Sequence, residues 1–173
     1  MLPSLTFVLG GAASGKSLVA ENIIYNSDLQ LVYVATSRIF DDEMQTKINT
    51  HIARRDARWT TISVEKDIPE VLVKLTNNQA VLIDCVTMWL TNIILDGDDV
   101  DLAQSNFLRA LTASSAPLVV VSNEVGQGIV PDNALSRQFR EAQGRLNIAL
   151  AARADCVIHV VAGLSHVLKG PNQ

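Results

Sequence analysis

Residues Gly10-Gly11-Ala12-Ala13-Ser14-Gly15-Lys16-Ser17 fit the pattern G-x-x-x-x-G-K-[ST], and the apolar run Leu5-Thr6-Phe7-Val8-Leu9 stands directly before them. A buried strand that opens into such a loop restricts the fold sharply, because the chain must turn at once into a helix that packs back on its strand. Glycines at both ends let the backbone curl until successive N–H groups converge on one anion. A helix beginning near Lys16 aims its positive dipole end at the same point. Gly10, Gly11, Ala12, Ala13, Ser14, Gly15, Lys16 and Ser17 are therefore expected to cradle a nucleotide's phosphates, with Lys16 on the β- and γ-phosphates and the Ser17 hydroxyl on a Mg²⁺ ion. The bland alternative is a glycine turn that only joins strand to helix.

Apolar runs recur at Leu5–Leu9, Leu31–Ala35, Ala80–Asp84, Leu118–Ser122 and Cys156–Ala162, with Thr60–Val64 as a further candidate strand. Helical spacing predicts helices at Lys16–Tyr25, Asp41–Arg54, Ile68–Thr76, Thr87–Leu95, Leu102–Thr112 and Asn133–Arg153. Near-continuous apolar strands between helices imply an α/β fold with a mostly parallel sheet covered on both faces. The ending Val160–Leu168 reads as two short strands around a Gly turn, an antiparallel edge hairpin. Asp96-Gly97-Asp98-Asp99 reads as an acidic surface loop, the least structured part of the chain.

A chain of 173 residues, 48% hydrophobic and 18% charged, fits a single domain over 1–173 with a full core. The formal net charge of −4 supplies no basic field for a nucleic-acid backbone or an anionic membrane. No apolar stretch has the length of a membrane span, and since the amino terminus runs straight into the phosphate loop, no removable signal is expected. Cys85 and Cys156 lack metal-ligand spacing and read as small reduced core residues at strand ends. A cytoplasmic location is expected.

Asp84 ends an apolar strand, on the side where a parallel sheet places its ligands, and is the natural second Mg²⁺ partner beside Ser17. Thr36 and Ser37 follow the second strand as helix caps or nucleotide contacts. Asn123 and Glu124, in Ser122-Asn123-Glu124-Val125-Gly126-Gln127-Gly128, form an active-site loop or a structural turn. His51 follows Lys47 and precedes Arg55 at four-residue spacing, along the edge of the stripe Met44, Ile48, Ile52. Pattern alone makes it a core-edge histidine, whereas the density of Lys47, Arg54, Arg55 and Arg58 around it suggests a phosphate-facing segment or a solvated one. His159 and His166 read as structural, and Trp59 and Trp89 as core or interface anchors.

Taken in order, these motifs resemble the family of bifunctional adenosylcobinamide kinase / adenosylcobinamide-phosphate guanylyltransferase of cobalamin biosynthesis, from Leu5 to Lys169. The pieces are Phe7-Val8-Leu9 with the phosphate loop, Tyr33-Val34-Ala35-Thr36-Ser37, Asp41-Asp42-Glu43-Met44, and the segment Lys47 to Trp59. They continue with the run Val81 to Asn92, the block NEVGQGIVPDNALSRQFREAQGRLN from Asn123 to Asn147, and Val160 to Leu164 with Leu168-Lys169. The block from Asn123 is far more specific than the phosphate loop.

The resemblance implies a single P-loop NTPase domain with a RecA-like sheet, acting as a transferase. In that family a histidine on the second helix is guanylylated by GTP, which implies His51 as the carrier and Lys16 as its catalytic companion on the phosphates. It also implies nucleotide contacts at Ala35, Thr36, Ser37, Ile52, Ala53, Arg54, Arg55 and Asp84. The implied substrates are ATP or GTP, adenosylcobinamide and adenosylcobinamide phosphate, and the implied assembly is a homotrimer. Three positions depart from the family pattern. A nucleotide-contacting glutamate aligns with Ser63, Glu65 lying two positions on; Glu141 replaces an aspartate; and Ile148 replaces a glutamine. The guanine-reading N-K-x-D is absent, so a preference for GTP rests on the resemblance alone. Two other readings stand beside it. One is a plain small-molecule kinase in which His51 only packs; the other is a non-catalytic nucleotide-binding module.

Overall fold

The structure, a computed structural model, describes residues 2–38 and 56–170. Strand β1 (Leu5–Gly10) leads through the phosphate loop into helix α1 (Lys16–Tyr25) and back to β2 (Gln30–Ala35). After β3 (Trp59–Ser63) come the short helix α2 (Ile68–Leu72), β4 (Gln79–Asp84), α3 (Val86–Leu95) and α4 (Val100–Ala113). Strand β5 (Leu118–Asn123), the long helix α5 (Ala134–Arg153), β6 (Cys156–Val161) and β7 (Leu164–Lys169) complete the order. The helix expected at Asp41–Arg54 lies outside the described residues.

The seven strands form one sheet in the order β3-β2-β4-β5-β1-β6-β7. All pairings are parallel except the terminal β6–β7 hairpin. Because side chains alternate along a strand, each buried strand feeds both faces. Phe7, Val32, Val34, Val81, Ile83, Leu118 and Val120 join one core with Trp89, Phe107 and Leu146 from α3, α4 and α5. Val8, Leu31, Tyr33, Leu82, Val119 and Val121 join a second core with Ala20 and Ile24 of α1. The chain is thus the helix-covered α/β sheet expected, with the antiparallel edge hairpin in place. The turn residues Ala162 and Gly163 both have positive φ, 51° and 78°, the left-handed pair that a two-residue hairpin turn requires.

Several boundaries move, each for a local reason. Helix α4 begins at Val100 rather than Leu102, because the Asp99 carboxylate accepts the Leu102 N–H at 3.0 Å and caps it. The expected helix Ile68–Thr76 stops at Leu72, beyond which Lys74 and Leu75 bond to carbonyls only three residues back. Asn133 lies outside α5 as its cap, accepting the Ser136 N–H at 2.7 Å. Cys85 is not a strand-end residue but the residue before α3, and burial pushes its thiol pKa up to about 11.

Asp96–Asp99 is also more than an acidic loop. Gly97 and Asp98 donate to the Ile94 and Ile93 carbonyls and close α3. Asp96 meanwhile holds two cations, Arg38 at 2.6 Å and Lys66 at 2.7 Å.

Candidate active site

Parallel strands bring their carboxyl ends to one edge, and the registers show which residues meet there. Gly10 lies level with Asn123 on one side and Val160 on the other, while Ala35 lies level with Asp84 and Ser63. The phosphate loop therefore projects from the middle of the same edge that carries Asp84 and the residues after Ala35.

Within the loop, the backbone is packed too tightly for side chains at two points. A Cβ on Gly10 would lie 2.5 Å from Ser14 Oγ and 2.6 Å from the Val160 carbonyl oxygen. A Cβ on Gly15, whose φ is 91°, would lie 3.2 Å from Gly163 Cα. The hairpin turn is thereby part of the loop's support, since the Gly163 N–H donates to the Ser14 carbonyl at 2.8 Å. The Ser14 hydroxyl is buried with no hydrogen-bond partner among the described residues. An orphaned hydroxyl and the unpaired first-turn N–H groups of α1 fit a bound anion.

Lys16 is 8% exposed and folds back, its Nζ donating to the Gly11 carbonyl at 3.0 Å. Burial lowers its pKa below the ordinary lysine value, while Cys85 and Asp84 oppose that shift. Asp84 thus lies within electrostatic reach of the loop although β5 stands between their strands. The Tyr33 hydroxyl donates to Asp84 Oδ2 at 3.1 Å. Ser17 is half-buried at the start of α1. Ser17 and Asp84 together offer one hydroxyl and one carboxylate, and no group of three or more acidic, histidine or cysteine side chains forms a metal cage among the described residues. Mg²⁺ suits such a set, because it takes few protein oxygens and completes its shell with phosphates and water.

Beside the loop, Thr36 is fully buried and brackets Cys85. Its hydroxyl donates to the Cys85 carbonyl at 2.7 Å and accepts the Cys85 N–H at 3.1 Å. Thr36 is thus tied to the residue after Asp84, and its side chain caps no helix. Asn92, with no exposed surface, donates to the Thr36 carbonyl at 2.8 Å and to the Glu65 carbonyl at 3.0 Å. Trp89 Nε1 donates to the Lys66 carbonyl at 2.8 Å. Helix α3 therefore clasps the segments that follow β2 and β3.

Charge closes the same corner. Arg38 binds Glu65 at 2.5 Å and forks onto both Asp96 oxygens at 2.6 Å, and Lys66 reaches Asp98 at 2.9 Å. Arg38, then Lys66, holds the Asp96 carboxyl well below the usual carboxylate range. Glu65 is thus committed to Arg38, and Ser63 sits exposed at the end of β3.

Ile52, Ala53, Arg54, Arg55 and His51, expected from the sequence as site residues, lie with Lys47 outside the described residues. Arg58 is described and stands at the other edge. It precedes β3, pairs with Asp56 at 3.2 Å, and its guanidinium lies 3.7 Å over the Tyr25 ring. It is exposed and turned onto Tyr25 at the start of β3, the solvated alternative for this residue. Trp89 is a core residue stacked on Phe107 at 4.9 Å, and Trp59 meets Tyr33 edge-on at 6.3 Å. His159 and His166 face each other across the terminal hairpin. Tyr33, Thr87, Asn92 and Asn147, which support the site, stand in the sequence only as parts of the motif pieces, with no role assigned; their bonds join residues 24 to 56 positions apart and leave no spacing signal.

Residues 6–168 match the model of the family described as cobinamide kinase / cobinamide phosphate guanyltransferase. A bifunctional adenosylcobalamin biosynthesis protein of Pseudomonas aeruginosa is 39% identical over 166 residues, covering 94% of this chain and 96% of that protein. Its counterpart in Escherichia coli K12 is 38% identical over 181 residues, covering 95% of this chain and 99% of that protein. Among solved structures, an ATPase of the type III secretion system of pathogenic bacteria superposes with a TM-score of 0.61 at 12% identity, over 96% of this chain and 57% of its own. A Pyrococcus horikoshii protein superposes at 0.55 with 12% identity, over 99% of this chain and 89% of its own. These two likenesses bear on the fold alone, a mostly parallel sheet covered by helices. No helix among the described residues is long and apolar enough to cross a membrane.

Proposed function

The chain belongs to the cobinamide kinase / cobinamide phosphate guanyltransferase family, a family of transferases, and from that membership we propose how its residues divide two transfers between them. In the first, the aminopropanol hydroxyl of adenosylcobinamide attacks the γ-phosphorus of ATP or GTP. The loop amides from Gly11 to Ser17 and the Lys16 ammonium take up the charge that moves toward the leaving nucleoside diphosphate. Lys16 does so by exchanging the Gly11 carbonyl, its partner at 3.0 Å, for phosphate oxygens. Ser17 and Asp84 are the residues that would hold Mg²⁺, and the ion, when bound, neutralises phosphate charge. The Tyr33 hydroxyl on Asp84 Oδ2 fixes the carboxylate's orientation for that task.

In the second transfer His51, as neutral imidazole, attacks the α-phosphorus of GTP and pyrophosphate leaves. GMP then rides on the histidine as a phosphoramidate until the phosphate of adenosylcobinamide phosphate displaces it, giving adenosylcobinamide-GDP. Ala35, Thr36, Ser37, Ile52, Ala53, Arg54 and Arg55 hold the nucleotide for this step. The clasp of Asn92 and the Arg38–Asp96 fork hold Thr36 and Arg38, at the end of this nucleotide-contacting stretch. A homotrimer in the cytoplasm completes the reading.

The observation that carries it is the match from residue 6 to residue 168, on relatives covered over nearly their whole length. The test supplies the purified protein with adenosylcobinamide, Mg²⁺ and GTP and separates the corrinoids by chromatography. Adenosylcobinamide phosphate should accumulate first and adenosylcobinamide-GDP after it. A corrinoid that stays unphosphorylated refutes the reading.

A further inference from the structure

The phosphoryl transfer just described starts from a neutral hydroxyl, so a proton must leave the acceptor as it attacks. None of the residues assigned so far takes it. Lys16 is a cation, Asp84 is directed to Tyr33 and the metal, and His51 serves the other transfer. We propose that Glu124 is the general base of the phosphoryl-transfer step, an inference that rests on the kinase reading above.

Its position is the first argument. Strand β5 lies beside β1, Asn123 is level with Gly10, and the Glu124 N–H donates to the Gly10 carbonyl at 3.0 Å. Glu124 is therefore the first residue beyond the sheet on the strand that flanks the phosphate loop.

The second argument is how firmly the peptide before it is held. The Asn123 N–H donates to Thr87 Oγ1 at 2.9 Å, and the Asn123 carbonyl accepts Asn147 Nδ2 at 3.1 Å. Behind Asn147, the Ser122 hydroxyl donates to its Oδ1 at 2.6 Å, and Gln143 Nε2 donates to both Ser122 Oγ and Asn147 Oδ1. Ser122 and Gln143 have no exposed surface, and Thr87 and Asn147 have 7% and 8%. Buried polar side chains cost stability unless satisfied, and apolar packing would end a strand without that cost. A network of four such groups around one peptide sets the direction of the residue that follows.

The third argument is the carboxylate itself. The Gly126 N–H donates to Glu124 Oε1, and a Cβ on Gly126 would lie 2.8 Å from that oxygen. The missing side chain at Gly126 is the space the carboxylate occupies.

The chemistry balances simply. As the hydroxyl oxygen bonds to the γ-phosphorus, its proton passes to the Glu124 carboxylate. The bond from the γ-phosphorus to the bridging oxygen breaks, and its electron pair leaves with the nucleoside diphosphate. Glu124 then returns the proton to water. Guanylyl transfer has no such need, because an imidazole nitrogen and a phosphate-ester oxygen attack through lone pairs that carry no proton.

Glu124→Gln and Gly126→Ala in the full chain test the assignment. Single-turnover phosphorylation of adenosylcobinamide should slow by about 10²–10⁴-fold in Glu124→Gln. Incorporation of GMP from α-labelled GTP, the KM for GTP and the unfolding temperature should stay near wild type. Gly126→Ala keeps the carboxylate but displaces it, and should slow phosphorylation by an intermediate factor. Phosphorylation by Glu124→Gln within about threefold of wild type overturns the proposal. Equal loss of phosphorylation and GMP incorporation overturns it as well, leaving Glu124 a structural part of its loop. A wild type that incorporates GMP but never phosphorylates the corrinoid removes the kinase reading itself, and the proposal falls with it.

Discussion

Replacing Asn92 by alanine should unfold the site from behind. Its amide is fully buried and donates to the buried Thr36 carbonyl at 2.8 Å and the partly buried Glu65 carbonyl at 3.0 Å, so the variant leaves two acceptors without their donor. Each costs about 1–3 kcal/mol. One term runs the other way, since Asn92 Oδ1 is buried without a partner among the described residues and its removal returns about 1 kcal/mol. The net loss is then about 3 kcal/mol, which for a chain of this size lowers the unfolding temperature by about 6–12 °C. Because Thr36 is the residue released, the KM for nucleotide should rise along with the loss of stability. Asn92→Asp should be worse than alanine, since it sets a carboxylate against two carbonyl oxygens. Scanning calorimetry with and without nucleotide, together with kinase KM, reads both effects. An Asn92→Ala protein that melts within about 2 °C of wild type would show that the clasp carries no weight.

Three further outcomes follow from the site. Lys16→Ala should lower both transfers by roughly 10²–10³-fold or more, because both need the triphosphate charge neutralised, and near-normal turnover of the folded variant would exclude the phosphate cradle. Asp84→Asn should lose most activity and shift the Mg²⁺ requirement upward, as a neutral amide is a poor ligand for a hard cation; a titration unchanged from wild type would leave Asp84 structural. Asp96 is held below the ordinary carboxylate value by Arg38 and Lys66, so its contribution to stability is present above about pH 4 and is lost as pH falls toward its folded value. Melting curves from pH 6 to pH 2 should therefore show wild type above Asp96→Asn at the upper end and the gap closing in acid; a gap of constant size would contradict the ion-pair account.

The sheet was legible because the buried strands are short apolar runs between breaks in the pattern, and Asp84 and Asn123 mark two of their ends directly. The phosphate loop was legible for a stronger reason, since its backbone path demands glycine at fixed positions. Boundaries failed where one side chain decided them, as when the Asp99 cap starts α4 at Val100, two residues before the expected Leu102. The supporting residues stood in the motif pieces, but what they hold was not legible. Asn92 reaches carbonyls 56 and 27 residues away, and Arg38 meets Asp96 across 58. Such bonds join side chains to backbone or to distant charges through the fold, and no local periodicity encodes them. Arg58 was open to two readings in the sequence, phosphate-facing or solvated, and its exposed place on the Tyr25 ring is the solvated one.

The covalent role of His51 is the claim on which the two-transfer account turns, and labelling tests it directly. Wild type incubated with GTP labelled at the α-phosphate should retain an acid-labile, base-stable label on a peptide containing His51, while γ-label should not be retained. His51→Ala should lose both the label and guanylyl transfer yet still phosphorylate adenosylcobinamide. A label that persists at wild-type level in His51→Ala, or a wild type that transfers GMP without ever carrying it, would contradict the account.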